Sequence, residues 1–124
     1  MGLYSWEDVS PDQITELYTR KVTHGENVSV ARLEVKKGAA TRLHHHDSEE
    51  VIVVLNGAWQ FFLPSGEVTL RANQMLTIPP GVEHGSRVLE DVVAIDICCP
   101  ARRDWQSGED RFLHHDPDQS LWAV

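Results

Sequence analysis

The chain has 124 residues, 41% of them hydrophobic and 24% charged, with a net charge of −8 at pH 7. That is the length of one domain around one core and the composition of an ordinary globular protein. The acidic balance leaves no basic stripe to neutralise phosphates, which argues against a nucleic-acid partner. The longest apolar run, Val51 to Leu55, is too short to cross a membrane. The N-terminus carries no signal-peptide pattern. Adjacent Cys98 and Cys99 would point to opposite faces of a strand and read as reduced thiols. A cytoplasmic protein is the expectation.

Taken in chain order, Pro11 to Leu17 reads as one or two helical turns. Val28 to Val35 alternates with period two and predicts a half-buried strand. Val51 to Leu55 is a continuous apolar strand, and Asn56-Gly57 is the dipeptide that a tight hairpin prefers before a further strand, Ala58 to Leu63. Pro64-Ser65-Gly66 makes the next turn, leading to Glu67 to Leu70. Met75 to Ile78 precedes a Pro79-Pro80-Gly81 turn, and Val92 to Cys98 is the last strong strand. Short strands at regular intervals predict an all-β sandwich or barrel. The segment from 101 to 124 is polar with scattered aromatics and reads as a tail that wraps the barrel or caps its mouth. Its His114-His115 pair has no partner at convincing spacing and reads as surface. Trp59 and Phe61 share one strand face while Gln60 and Phe62 share the other, which suits a barrel interior on one side and a homodimer surface on the other.

The most informative stretch runs from Gly38 through His44-His45-His46 to Glu50, with Gly57 beyond it, and is answered by Pro79-Pro80-Gly81-Val82-Glu83-His84. In an extended chain His44 and His46 share a face and His45 points away. Glu50, beyond a short turn, rejoins that face, and His84 closes a site of three imidazoles and one carboxylate. Such a nitrogen and oxygen set suits Mn, Fe, Co, Ni or Zn better than Ca or Mg. A histidine run alone also occurs in tags and solvated turns, but this one lies mid-chain between periodic apolar segments.

These two segments resemble the two sequence motifs of the cupin superfamily. The first is met at Gly38, His44, His46, Glu50 and Gly57, and the second at Pro79, Gly81 and His84. Asn73 stands where the second motif begins with glycine, and Val88 where it usually ends with asparagine. The resemblance implies a single-domain jelly-roll β-barrel with its core at about 26–100, after a short N-terminal segment. It also implies one divalent metal on His44, His46, Glu50 and His84, with roughly two positions left for water or substrate.

A closer resemblance, from Trp6 to Trp105, is to the KdgF-type cupins of pectin and alginate catabolism. It is carried by Asp96-Ile-Cys98-Cys-Pro100-Ala-Arg102-Arg-Asp-Trp105, which is similar to that family's Asp-x-Phe-x-Pro-x-Arg-x-Asp-aromatic segment. It implies conversion of Δ4,5-unsaturated uronates to linear keto-uronates, with Asp96 catalytic and Arg102 on the substrate side. Cys98 stands at the family's phenylalanine, and Glu50 replaces the glutamine often found as fourth ligand.

Asp96 is informative by itself, as the only charge in Ala94-Ile-Asp-Ile-Cys98. It either faces a polar lumen or is paired by Arg102 or a backbone amide, since an unpaired buried carboxylate is costly. The leading expectation is a metal-dependent enzyme acting on a small anionic sugar derivative. Asp96 would move a proton, Arg102 would clamp a carboxylate, and Cys98, Trp59 and Phe61 would contact substrate. An iron-dependent cupin dioxygenase and a non-catalytic, metal-containing small-molecule-binding cupin are the alternatives.

Overall fold

The computed structural model describes residues 2–115. Its strands are β1 (Asp12–Thr15), β2 (Tyr18–His24), β3 (Ser29–Val35), β4 (Ala40–His44), β5 (Glu49–Leu63), β6 (Gly66–Arg71), β7 (Met75–Ile78), β8 (His84–Cys99) and β9 (His114–His115). A short helix, α1 (Arg103–Ser107), and a 3-10 turn, Glu109–Leu113, lie between β8 and β9. The strands run β1-β2-β3-β8-β4-β9, and β5 pairs with β6, β7 and β8, so β8 joins both halves of a jelly-roll barrel. Period-two alternation decides what faces inward. Ser29, Ala31, Leu33 and Val35 of β3 are buried, as are Val92, Ala94, Asp96 and Cys98 of β8. Ile52, Val54, Trp59 and Phe61 of β5 complete the wall.

Three expectations change. Residues 11–17 are not helical: β1 and β2 form a hairpin that extends the sheet ahead of β3. The turn is held locally by Thr15 Oγ1, which accepts the Leu17 N–H at 3.1 Å, and by Gln13 Nε2, which donates to the Thr15 carbonyl at 2.6 Å. Such side-chain bonds to nearby backbone compete with a helix. Second, Asn56-Gly57 is no hairpin, because β5 runs straight through it. The register against β8 shifts on both sides of Asn56, and Gly57 has φ 93°. A Cβ there would lie 2.0 Å from the Asp91 carbonyl oxygen. The left-handed glycine serves a bulge pressed against the neighbouring strand.

Third, the His114-His115 pair is not at the surface: the tail, one of whose expected places was the barrel's mouth, folds as far as residue 115 into a cap over one end, and 116–124 lie outside the described residues. Arg20 of β2, 1% exposed, donates from Nη1 and Nη2 to Asp110 at 2.6 and 3.2 Å. Trp105 sits between two guanidiniums, Arg20 at 5.1 Å and Arg102 at 4.8 Å from its ring centre. His114-His115 is therefore not surface. His115 is buried in β9, which pairs with β4, and His114 contacts Asp110 at 3.2 Å and packs against Tyr18 with the rings tilted by 51°. Burial opposes ionisation of Asp110, but the bonds from His114 and Arg20 outweigh it and hold its carboxyl below the usual range.

Removing one partner of a buried pair leaves the other charge unpaired. Asp110→Ala should lower the unfolding free energy by about 3 kcal/mol, read by urea denaturation at pH 7. Because the folded-state pKa of Asp110 is depressed, its contribution is present above the ordinary carboxylate value of about 3.9 and is lost as pH falls below it. The gap between wild type and variant should therefore close in acid.

Candidate metal centre

The histidines converge because of strand register. His44, the last residue of β4, is the cross-strand partner of His84, the first residue of β8, and their ring centres are 4.4 Å apart. His46 lies in the short connection to β5, whose shape is braced by the second motif: the Gly81 N–H donates to the His46 carbonyl at 2.9 Å. Its ring is 5.7 Å from His44 and 4.9 Å from His84. One ligand atom from each of the three lies within 4.8 Å of the others. Glu50, the second residue of β5, places Oε1 3.2 Å from His46 Nε2 and 3.3 Å from His84 Nε2. His45 is exposed, as alternation required.

Each imidazole is oriented by the main chain. Nδ1 of His44 is 2.7 Å from the Arg42 carbonyl, that of His46 2.9 Å from the Ser48 carbonyl, and that of His84 2.9 Å from the Val82 carbonyl. A carbonyl only accepts, so each Nδ1 carries a proton and each Nε2 faces the interior, those of His46 and His84 toward Glu50. This is the outer arrangement that metal-bound histidines have. Burial pushes His44 down to about 4, which keeps it neutral. The donors present thus fit a divalent transition metal in both chemistry and orientation.

Beyond this set lies a second buried group. Glu50 is the cross-strand partner of Cys98, and Ile52 that of Asp96, so Glu50, Cys98 and Asp96 share one face. Their ligand atoms lie within 4.8 Å of one another. Burial and then the Glu50 charge raise Asp96 well above the usual range. For Glu50, burial is outweighed by hydrogen bonds from His46, His84 and Asp96, which hold it well below. Of the two environments foreseen for Asp96, the polar lumen is the one found. It has a carboxylate neighbour as well.

The adjoining cavity, about 40 Å³, is lined by His44, Glu50, His84 and Asp96 and by Trp59 and Phe61. Cap residues Trp105, Leu113 and His114 also line it. Cys98 is fully buried behind this lining, with Sγ 3.9 Å from Asp96 Oδ1. Arg102 reaches the cavity but is not a free clamp: its Nε and Nη2 are both bonded to Asp104, at 2.7 and 2.6 Å. The cap's contribution went unseen in the sequence, because its contacts join residues far apart in the chain; Arg20 and Asp110 are separated by 90 positions.

A jelly-roll barrel with three inward imidazoles and a carboxylate defines a class of small β-barrels built around a cluster of metal-ligand residues. The chain belongs to the cupin family: the sequence profile of the Cupin domain matches residues 31–98, more than half of it. Among solved structures it is similar to KdgF from Halomonas sp., with a TM-score of 0.77 at 21% identity, covering 84% of this chain and 99% of that one. An RmlC-like cupin from Shewanella frigidimarina gives 0.78 at 23% identity, covering 85% and 96%. Oxalate decarboxylase from Bacillus subtilis, a protein with Mn(II) centres, gives 0.70 at 16% identity, covering 78% of this chain and 29% of that one. At these identities the likeness establishes the fold. No curated protein sequence matches the chain significantly.

The donor set predicts about one equivalent of bound divalent metal in protein made without a histidine tag. His46→Ala and His84→Ala should each weaken Ni(II) or Zn(II) binding by more than about a hundredfold. His45→Ala should bind like wild type; an equal loss there would overturn the assignment. Competition with a chromogenic chelator measures all three.

Proposed function

We propose that this cupin is a metal-dependent enzyme that opens Δ4,5-unsaturated uronates to linear keto-uronates. The observation that carries the reading is Asp96, a buried carboxyl on the lumen face, packed against Glu50 and lining the same cavity as His44 and His84. The fold it shares with the Halomonas KdgF and the Asp96-to-Trp105 segment support the choice of substrate. His44, His46, Glu50 and His84 would hold the divalent ion, whichever of Ni, Mn, Fe, Zn or Co it is. When bound, it supplies Lewis acidity and a template for the substrate's oxygen atoms.

The chemistry asked of the protein is modest. The ring opens when the C1 hydroxyl loses its proton and the bond from C1 to the ring oxygen breaks, leaving an aldehyde and an enol. The enol takes a proton at C4 and becomes the ketone at C5. No atom is gained or lost, so one group that accepts a proton and returns one is sufficient, and a carboxyl in contact with the cavity can do both. Asp96 holds that position. Arg102 presents a cation to the substrate's carboxylate. Trp59 and Phe61, with ring centres 4.9 Å apart, form an apolar wall against the sugar.

Metal-loaded protein should remove the ultraviolet enol-ether absorbance of an unsaturated galacturonate faster than the spontaneous rate. Asp96→Asn should slow that step by about 10²–10⁴-fold while metal content stays the same. Wild-type turnover in the variant would take the aspartate out of the mechanism, and no acceleration by the wild type would sink the uronate reading.

A further inference from the structure

Arg102 leaves the end of β8 in a fixed pose. Its main-chain N–H donates to Ser29 Oγ at 2.8 Å, and that hydroxyl is 2.7 Å from His24 Nδ1. The side chain is only 5% exposed. Its guanidinium is constrained along one edge and on one face. The edge formed by Nε and Nη2 is taken by the two oxygens of Asp104, and the face is covered by the Trp105 ring. A fork bonded along one edge cannot turn about its own axis without breaking both bonds. The remaining nitrogen, Nη1, lies 3.8 Å from Cys98 Sγ, a weak acceptor that leaves most of its donor capacity unused.

Arg102 meets two spaces. Arg102 lines both the cavity that holds Asp96 and an outer groove formed by residues such as His46, Ser48 and Pro100. Asp104 lines the groove and is not among the residues of the cavity. Its carboxylate therefore does not occupy the place a substrate anion would take.

We propose that Asp104 is a positioning residue: it binds the outer edge of Arg102 and turns Nη1 into the cavity, as a single directed donor beside Asp96. Arg102 then meets a substrate anion through one N–H rather than as the open two-pronged clamp that the sequence suggested. Asp104 itself does not touch substrate. The part of this proposal that concerns the anion rests on the uronate reading above.

Asp104→Asn is nearly isosteric, but its amide turns a donor toward a donor. In metal-loaded full-length protein, KM for unsaturated galacturonate should rise about tenfold or more, with kcat within about threefold of wild type. Metal content and unfolding midpoint should be unchanged, and Asp104→Glu should restore part of the KM. A fall in KM would show Asp104 competing with substrate for Arg102, and an unchanged KM would show no role; either overturns the proposal. A second readout needs neither substrate nor turnover. Nitrogen-15 NMR of the arginine side chains should show slowly rotating, resolved Nη–H signals for Arg102, identified by their loss in Arg102→Lys and averaged in Asp104→Asn. Freely rotating Arg102 signals in the wild type would also overturn it. If the wild type turns over no unsaturated uronate, the uronate reading falls and the NMR signature alone decides whether Asp104 holds Arg102.

Discussion

The antiparallel pairing of β5 with β8 is the constraint on which the rest depends. It runs from Glu49 opposite Cys99 to Phe62 opposite Gly85, nearly the full length of both strands. Because successive residues of a strand face opposite sides, a slip of β8 by one residue would turn Asp96 and Cys98 out of the barrel and part them from Glu50 on β5. The bulge at Gly57 guards against that slip. Its backbone lies so close to Asp91 that only a residue without a side chain can occupy the position, and the register on either side is pinned to it. The same strand β8 then delivers His84 opposite His44, so one long pairing aligns the imidazoles with the carboxyl wall.

How much of this was legible in the sequence follows from how far each signal reaches along the chain. The alternation of Val28 to Val35 and the run of Val51 to Leu55 report local burial, and both are strands. His44, His46, Glu50 and His84 were legible because spacing in an extended segment translates directly into side-chain direction. What failed was ambiguous or non-local. Asn56-Gly57 offers a left-handed backbone position, which a hairpin and a bulge use equally well; only the partner strand decides between them. Residues 11–17 carry weak propensities that sheet pairing with β3 overrides through β2. The cap folds around contacts that no periodicity announces. Arg20 looks like an ordinary strand residue until Asp110 and Trp105 close over it.

The buried interior holds several charged groups, and they are arranged in series. Glu50 sits between the histidines and Asp96; Cys98 lies between Asp96 and Arg102; Asp104 holds the far edge of Arg102. Each buried group faces one of opposite charge or one with which it can share a proton, so the row is tolerable in a low-dielectric interior. Trp105 spreads the same logic into the cap: the cations of Arg20 and Arg102 both meet its ring, and each cation meets its own aspartate. Fastening of the cap and orientation of the cavity wall therefore share one residue.

The way the imidazoles are anchored separates two kinds of inheritance. Each is steered by a carbonyl oxygen of a residue two places away, a group that every amino acid supplies. The nitrogen presented to an ion is thus a property of the backbone path through residues 42–48 and 82–84, indifferent to which side chains decorate it. The wall opposite, made of Asp96, Cys98 and Arg102, is written entirely in side chains. Those side chains can change without altering the backbone path that orients the imidazoles. Such a division separates what the main chain fixes, the direction of three imidazoles, from what single side-chain exchanges can retune, the polarity of the facing wall.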